Sequence, residues 1–86
     1  MKYTLMKPFQ FGKETISEVE IKEDYDTGDV ARLMNAKQKG AGDAFAEIIA
    51  IGTDWPVPKV SKIGSKDGLK IFEIVNDFLD DGEGEN

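Results

Sequence analysis

The sequence predicts an α+β domain in which an N-terminal antiparallel β-hairpin is followed by three α-helices and a disordered acidic tail. Three observations carry this expectation. Thr15-Ile16-Ser17-Glu18-Val19-Glu20-Ile21 alternates, with Val19 and Ile21 on one face and Glu18 and Glu20 on the other, the period-two mark of a half-buried strand. Two later runs, around Leu33 and around Ile48, space their apolar residues for one helical face and are separated by Gly40-Ala41-Gly42. A third run, from Leu69 to Leu79, is apolar over so wide an arc that it is either central to the core or offers surplus apolar surface to a partner.

The first strand is read over residues 3–11. Tyr3-Thr4-Leu5-Met6 is rich in β-formers, Pro8 suits an edge position because it cannot donate to a ladder, and Gly12 supplies the turn. The first helix starts at Asp26 or Thr27, either of which can cap it, with Asp29 in the first turn where free N–H groups favour a carboxylate. Val30, Leu33 and Met34 form its apolar face, and Lys37 and Lys39 suit its C-terminal end. Asp43 can cap the second helix, in which Phe45, Ile48 and Ile49 make the stripe and Gly52 is the expected left-handed residue at the end. The pair reads as a helical hairpin.

Residues 53–58 hold Trp55, Pro56 and Pro58 and read as a loop, since neither proline tolerates a helix interior. A single helical turn is expected over residues 58–63, stopped by Gly64. Ser65 is the capping candidate for the long C-terminal helix, whose apolar residues are Leu69, Ile71, Phe72, Ile74, Val75, Phe78 and Leu79. Residues 1–79 therefore form one domain, and residues 80–86, which include no apolar side chain, are expected to be a disordered acidic tail.

With 86 residues, the chain can build one thin core and no deep cleft, which argues against an enzyme acting on a large substrate. There is no Cys and no His, removing disulfides, thiol nucleophiles, imidazole acid-base chemistry and nearly every zinc or haem site. The net charge of -6 comes in blocks: residues 1–72 carry eleven bases against eleven acids, and residues 73–86 carry six acids and no base. No cluster of Lys and Arg suits a duplex backbone, so nucleic acid is not an expected partner. No apolar run is long enough for a membrane span or a signal peptide, so the chain reads as soluble and unexported.

Motifs that could carry chemistry fall away on their spacing. Gly12-Lys13-Glu14-Thr15 lacks a phosphate loop's earlier glycine, which would fall at Lys7, and has Glu14 where Ser or Thr should follow the lysine. A calcium loop starting at Asp24 would want glycine where Asp29 stands and glutamate where Asn35 stands, so these acids read as helix capping. Glu18 and Glu20 lie on the polar face of a strand, and Ser17, Ser61 and Ser65 have no histidine to activate them. No catalytic, cofactor-binding or metal-ligating residue is assigned, and no cofactor is expected. Met34, Trp55, Phe72 and Phe78 are the candidates for contact with a partner; Trp55 reads first as a core anchor, and Phe72 and Phe78, six apart, cannot lie on one line of a helix.

The order of these elements resembles the small tail assembly chaperones of contractile-tailed phages and prophages, including the Mu-like members. The residues that carry the resemblance are the hairpin with its Gly12-Lys13 turn, Thr27-Gly28-Asp29 ahead of Val30 and Leu33, the Phe45-Ile48-Ile49 helix, and Asp67-Gly68-Leu69 through Val75 to Phe78-Leu79. It covers residues 3–79, and departs from the family at Glu23-Asp24-Tyr25-Asp26, where a basic residue is expected, and at Gly40 and Gly42. The resemblance implies a non-enzymatic chaperone in the host bacterial cytoplasm that keeps the tape-measure protein soluble during virion morphogenesis, with the tail tube protein as a second candidate client. It also implies that a frameshifted longer product accompanies many such proteins. Self-association through the third helix is a further expectation. The competing expectation is an acidic inhibitor or decoy that presents residues 14–29 and 73–86 to a basic nucleic-acid-binding protein.

Overall fold

The computed structural model describes the backbone of residues 1–84 and the side chains of residues 1–79. Strands β1 (Lys2–Phe11) and β2 (Glu14–Glu20) form the antiparallel hairpin that the sequence predicts, and helices α1 (Thr27–Lys39), α2 (Ala41–Thr53), α3 (Val57–Val60) and α4 (Ser65–Gly84) follow. The acidic tail expected at residues 80–86 lies outside the described side chains, and residues 85–86 lie outside the described residues altogether. α3 is the helical turn expected after the proline loop, begun at Val57, with Pro58 in its first turn where a missing N–H costs nothing.

The hairpin turns at Gly12, whose φ of 66° is the left-handed conformation that glycine adopts without strain. Its register breaks once. Thr4 pairs with Glu18 and Phe9 with Ile16, so Leu5, Met6, Lys7 and Pro8 stand opposite Ser17 alone. This bulge turns Leu5 into the core and leaves the amides of Met6 and Lys7 without strand partners. Asp67, on the first turn of α4, supplies them: Met6 N–H donates to Oδ1 at 2.9 Å, Lys7 N–H to Oδ2 at 3.0 Å, and the Tyr3 hydroxyl to Oδ1 at 2.9 Å. Asp67 is 1% exposed. Burial by itself pushes its carboxyl up, but the three donors outweigh that and hold it below the ordinary value.

α1 begins with a reciprocal capping box. The Asp26 side chain accepts from the Asp29 amide, and the Asp29 side chain accepts from the Asp26 amide. Lys22 closes the motif with an ion pair to Asp29 at 2.9 Å. The α1 face differs from the expected one. Leu33 and Ala36 are buried and Val30 is half-buried, whereas Met34, one residue or about 100° on from Leu33, is 58% exposed.

Gly40 ends α1 and starts α2. Its φ of 127° lets two helices meet at a single residue, and its carbonyl accepts the first α2 bond from Ala44 N–H at 3.1 Å. Asp43 therefore sits in the first turn of α2 instead of capping it. The left-handed residue at the far end is Asp54, with φ 59°, and not Gly52. Gly52 is buried inside the helix, where an added Cβ would lie 2.3 Å from Cγ2 of Val75 on α4. The missing side chain is what allows α2 and α4 to pack so closely.

The core lies between the hairpin's inner face and the α2–α4 pair. Val19, Ile21, Ile49, Ile51, Ile71 and Val75 are each 2% exposed or less. Burying each such side chain contributes roughly 1.5–3 kcal/mol. Ile71, Val75 and Leu79 form the inward line of α4, with Phe72, Ile74 and Phe78 half-buried beside them, so most of the wide apolar arc is spent inside the domain. Leu69 is the exception, at 58% exposed.

Candidate protein-docking groove

α4 begins where Gly64 turns the chain after α3. Gly68 N–H donates to Gly64 O at 2.8 Å, which puts Gly64 at the cap and Ser65 in the first turn, one place further in than the sequence reading had it. This start is anchored from below by Asp67 on the β1 bulge. On the opposite side of the same turn, Gly68 and Leu69 face α2 across an open groove of about 490 Å³.

The groove is mainly apolar. Ile49 of α2 and Val60 of α3, 1% and 5% exposed, make its floor. Phe45 and Ala46 form one side, and Ile63 and Gly64 close an end. The Phe45 ring is stacked on Phe72 with centroids 4.9 Å apart, and it reaches over Gly68, where a Cβ would sit 3.9 Å from the ring tip. Leu69 is the projecting ridge. Ser61 also lines the groove, but its hydroxyl is occupied in donating to the Val57 carbonyl at 3.0 Å.

The sequence-predicted partner residues are dispersed. Phe72 stands at the groove through its stack on Phe45. Trp55 packs edge-on against Phe9 of the hairpin at 6.1 Å, with the Lys59 ammonium 4.2 Å from its ring centre, which is the core-anchor role. Phe78 lies 6.2 Å from Tyr25, below α1. Met34 is exposed on α1 and does not line the groove. Leu69, Phe45 and Ile63 were not singled out in the sequence. A helical projection would have marked Leu69, which lies about 200° from the inward-facing Ile71.

A second concavity of about 360 Å³ lies between α1 and α2. It is polar, lined by Arg32, Asn35, Lys39 and Asp43, and is spanned by the Arg32–Glu47 ion pair. Away from it, beside Phe78, Tyr25 donates to the Lys22 carbonyl at 2.7 Å, and burial, with the Asp29 charge behind it, pushes its phenol up to about 12. Among the described residues, no group of three or more acidic side chains converges as a metal site, and no buried side-chain polar atom lacks a partner. No described helix is long and apolar enough to cross a membrane.

The groove is an open, mainly apolar concavity between α2, α3 and the start of α4. Comparison with family models, with curated proteins and with solved structures gives no match to this chain.

Proposed function

We propose that this chain is a non-enzymatic tail assembly chaperone of a phage or prophage, acting in the host bacterial cytoplasm to keep a tape-measure protein soluble while the tail tube forms. One observation carries the reading: an apolar groove beside a ridge, Leu69, that stays 58% exposed in a chain otherwise able to bury its α4 face. A helical client exposes apolar stripes before assembly, and a groove between helices accepts such a stripe by interlocking side chains. The experiment is co-expression with the tape-measure protein encoded by the same phage or prophage. The client should stay in the soluble fraction and co-purify with this chain, and Leu69→Asp should send it back to the pellet. A client equally insoluble with and without this chain refutes the proposal.

The acidic decoy remains as the second reading because one contact favours it. Tyr25, near the end of the residues 14–29 block, packs against Phe78, within the 73–86 block, at 6.2 Å. A decoy would bind a basic nucleic-acid-binding protein through these blocks and be indifferent to Leu69→Asp. The same substitution therefore separates the two readings.

A further inference from the structure

We infer that the partner seated in the groove is an amphipathic helix whose apolar stripe is bordered by carboxylates, with Leu69 and Phe45 receiving the stripe and Lys62, Lys66 and Lys70 facing its acidic edge. The inference rests on the protein-client reading and adds the chemistry of the client. It comes from the distribution of charge around one wall. From Val57 to Lys70 the chain carries Lys59, Lys62, Lys66 and Lys70 against a single acid, Asp67. That acid is 1% exposed and turned inward to the β1 amides, so it neutralises nothing on the outer side. In a chain of net charge -6, the rim outside the groove on its α3–α4 side is thus locally positive up to Lys70, beyond which the exposed Glu73 and Asp77 continue the Lys66–Lys70 line.

The positions of these lysines are specific. Lys66 and Lys70 are four residues apart, hence on one line of α4, and that line runs beside Leu69 on the side away from Gly68 and Phe72. Lys62, exposed, sits between the groove residues Ser61 and Ile63. Among the described residues, neither Lys62 nor Lys66 meets a carboxylate, and Lys70 makes only a loose pair with Glu73 at 3.9 Å in which both side chains are more than 60% exposed. Lys59 differs, because its ammonium is held over Trp55. The occupant is a helix and not a strand because both long walls are helices, whose backbone groups are already bonded within their own turns and offer no open ladder. Carboxylates three or four residues apart on the partner match the Lys66–Lys70 spacing, while the acidic remainder of the surface repels them and fixes the register.

The test uses the whole chain and three synthetic helical peptides of about 18 residues, long enough at ~27 Å to span the groove. They share one apolar stripe and are flanked by Glu, Gln or Lys. Fluorescence anisotropy at low salt should rank them Glu, Gln, Lys, with about tenfold or more between the extremes, and the gap should shrink at roughly 0.5 M salt. The double variant Lys66→Glu/Lys70→Glu should reverse the ranking, and Leu69→Asp should weaken all three. Amide chemical shifts should move at Phe45, Ile63 and Leu69. Equal affinities for the three peptides, with Leu69→Asp still disruptive, overturn the acidic-edge inference and leave the groove reading standing. Peptides that bind without moving the groove resonances, or that do not bind, overturn both. A dimer detected by sedimentation and broken by Leu69→Asp also overturns the inference, since the occupant is then a second copy.

Discussion

Replacing Asp67 by Asn tests how the hairpin is joined to α4. The side chain keeps its shape, but one acceptor oxygen becomes an amide donor. Oδ1 takes both Met6 N–H and Tyr3 O–H, and Oδ2 takes Lys7 N–H, so an Asn that satisfies the first two turns an NH2 group against the Lys7 amide. A hydrogen bond to a charged group contributes about 1.5–3 kcal/mol, and a buried donor left without an acceptor costs about 1–3 kcal/mol. Removing a buried charge returns part of its desolvation cost, so the net loss should be about 2–4 kcal/mol. Tyr3→Phe, which deletes one hydroxyl, should lose about 1–1.5 kcal/mol. Urea unfolding at neutral pH, followed by Trp55 fluorescence and far-UV circular dichroism, reads both losses as a lower midpoint at constant slope.

The pH dependence supplies an independent check. The folded Asp67 carboxyl lies below its ordinary value of 3.8, so the unfolded chain takes up the proton first as the pH falls. Its contribution is complete above that ordinary value and is lost as the pH drops through the lower folded one. Asp67→Asn has no such term, so the gap between the two proteins should be widest at neutral pH and narrow as the pH falls below the ordinary value of 3.8. An unchanged urea midpoint at neutral pH for Asp67→Asn, or a gap that stays constant into strong acid, would show that the carboxylate does not hold the bulge.

Gly52→Ala should destabilise by about 1–3 kcal/mol even though alanine is the better helix former by about 1 kcal/mol, because its Cβ meets Val75 at 2.3 Å. Adding Val75→Ala should cost less than the sum of the two single changes, and strictly additive unfolding energies would refute the close contact. Leu69→Asp should shift stability by no more than about 0.5 kcal/mol, since the side chain is mostly exposed, and a large drop in thermal midpoint would make Leu69 a packing residue and not a docking one. Ultraviolet titration should find Tyr25 still protonated when an exposed tyrosine has ionised, in line with a phenol pushed up to about 12, and co-titration of Tyr25 with free tyrosine would refute its burial against Phe78.

Local signals were sufficient for the elements and insufficient for the contacts between them. The alternation through Val19 and Ile21 placed β2 to within a residue, and Asp26 with Asp29 marked the α1 start because a cap acts over three residues. Gly52 shows where such reading fails. A glycine after an apolar stripe signals a helix end, but here it meets a side chain on α4, and the left-handed position passed to Asp54. The β1 bulge was equally hidden, because the acceptor that tolerates it is some 60 residues away. At the candidate groove, Phe72, expected from the sequence as a partner residue, stacks on the lining residue Phe45 without lining the groove itself, and Leu69 was legible only as one apolar residue among seven. Its outward direction followed from Ile71, Val75 and Leu79 claiming the inner line of the helix.

The tie between Tyr3 and Asp67 spans 64 residues, and this has a consequence for the order in which the molecule can form on the ribosome. A two-stranded sheet on its own is marginal in water, so the hairpin, made well before α4, has little to hold it until α4 arrives. At roughly 5–20 residues per second, the interval from Tyr3 to Asp67 lasts about 3–13 s. Throughout that time the bulge amides are solvated and Leu5, Val19 and Ile21 have no helix pair to cover them. The hairpin must wait for α4, and the groove is completed by the same event that ends the wait.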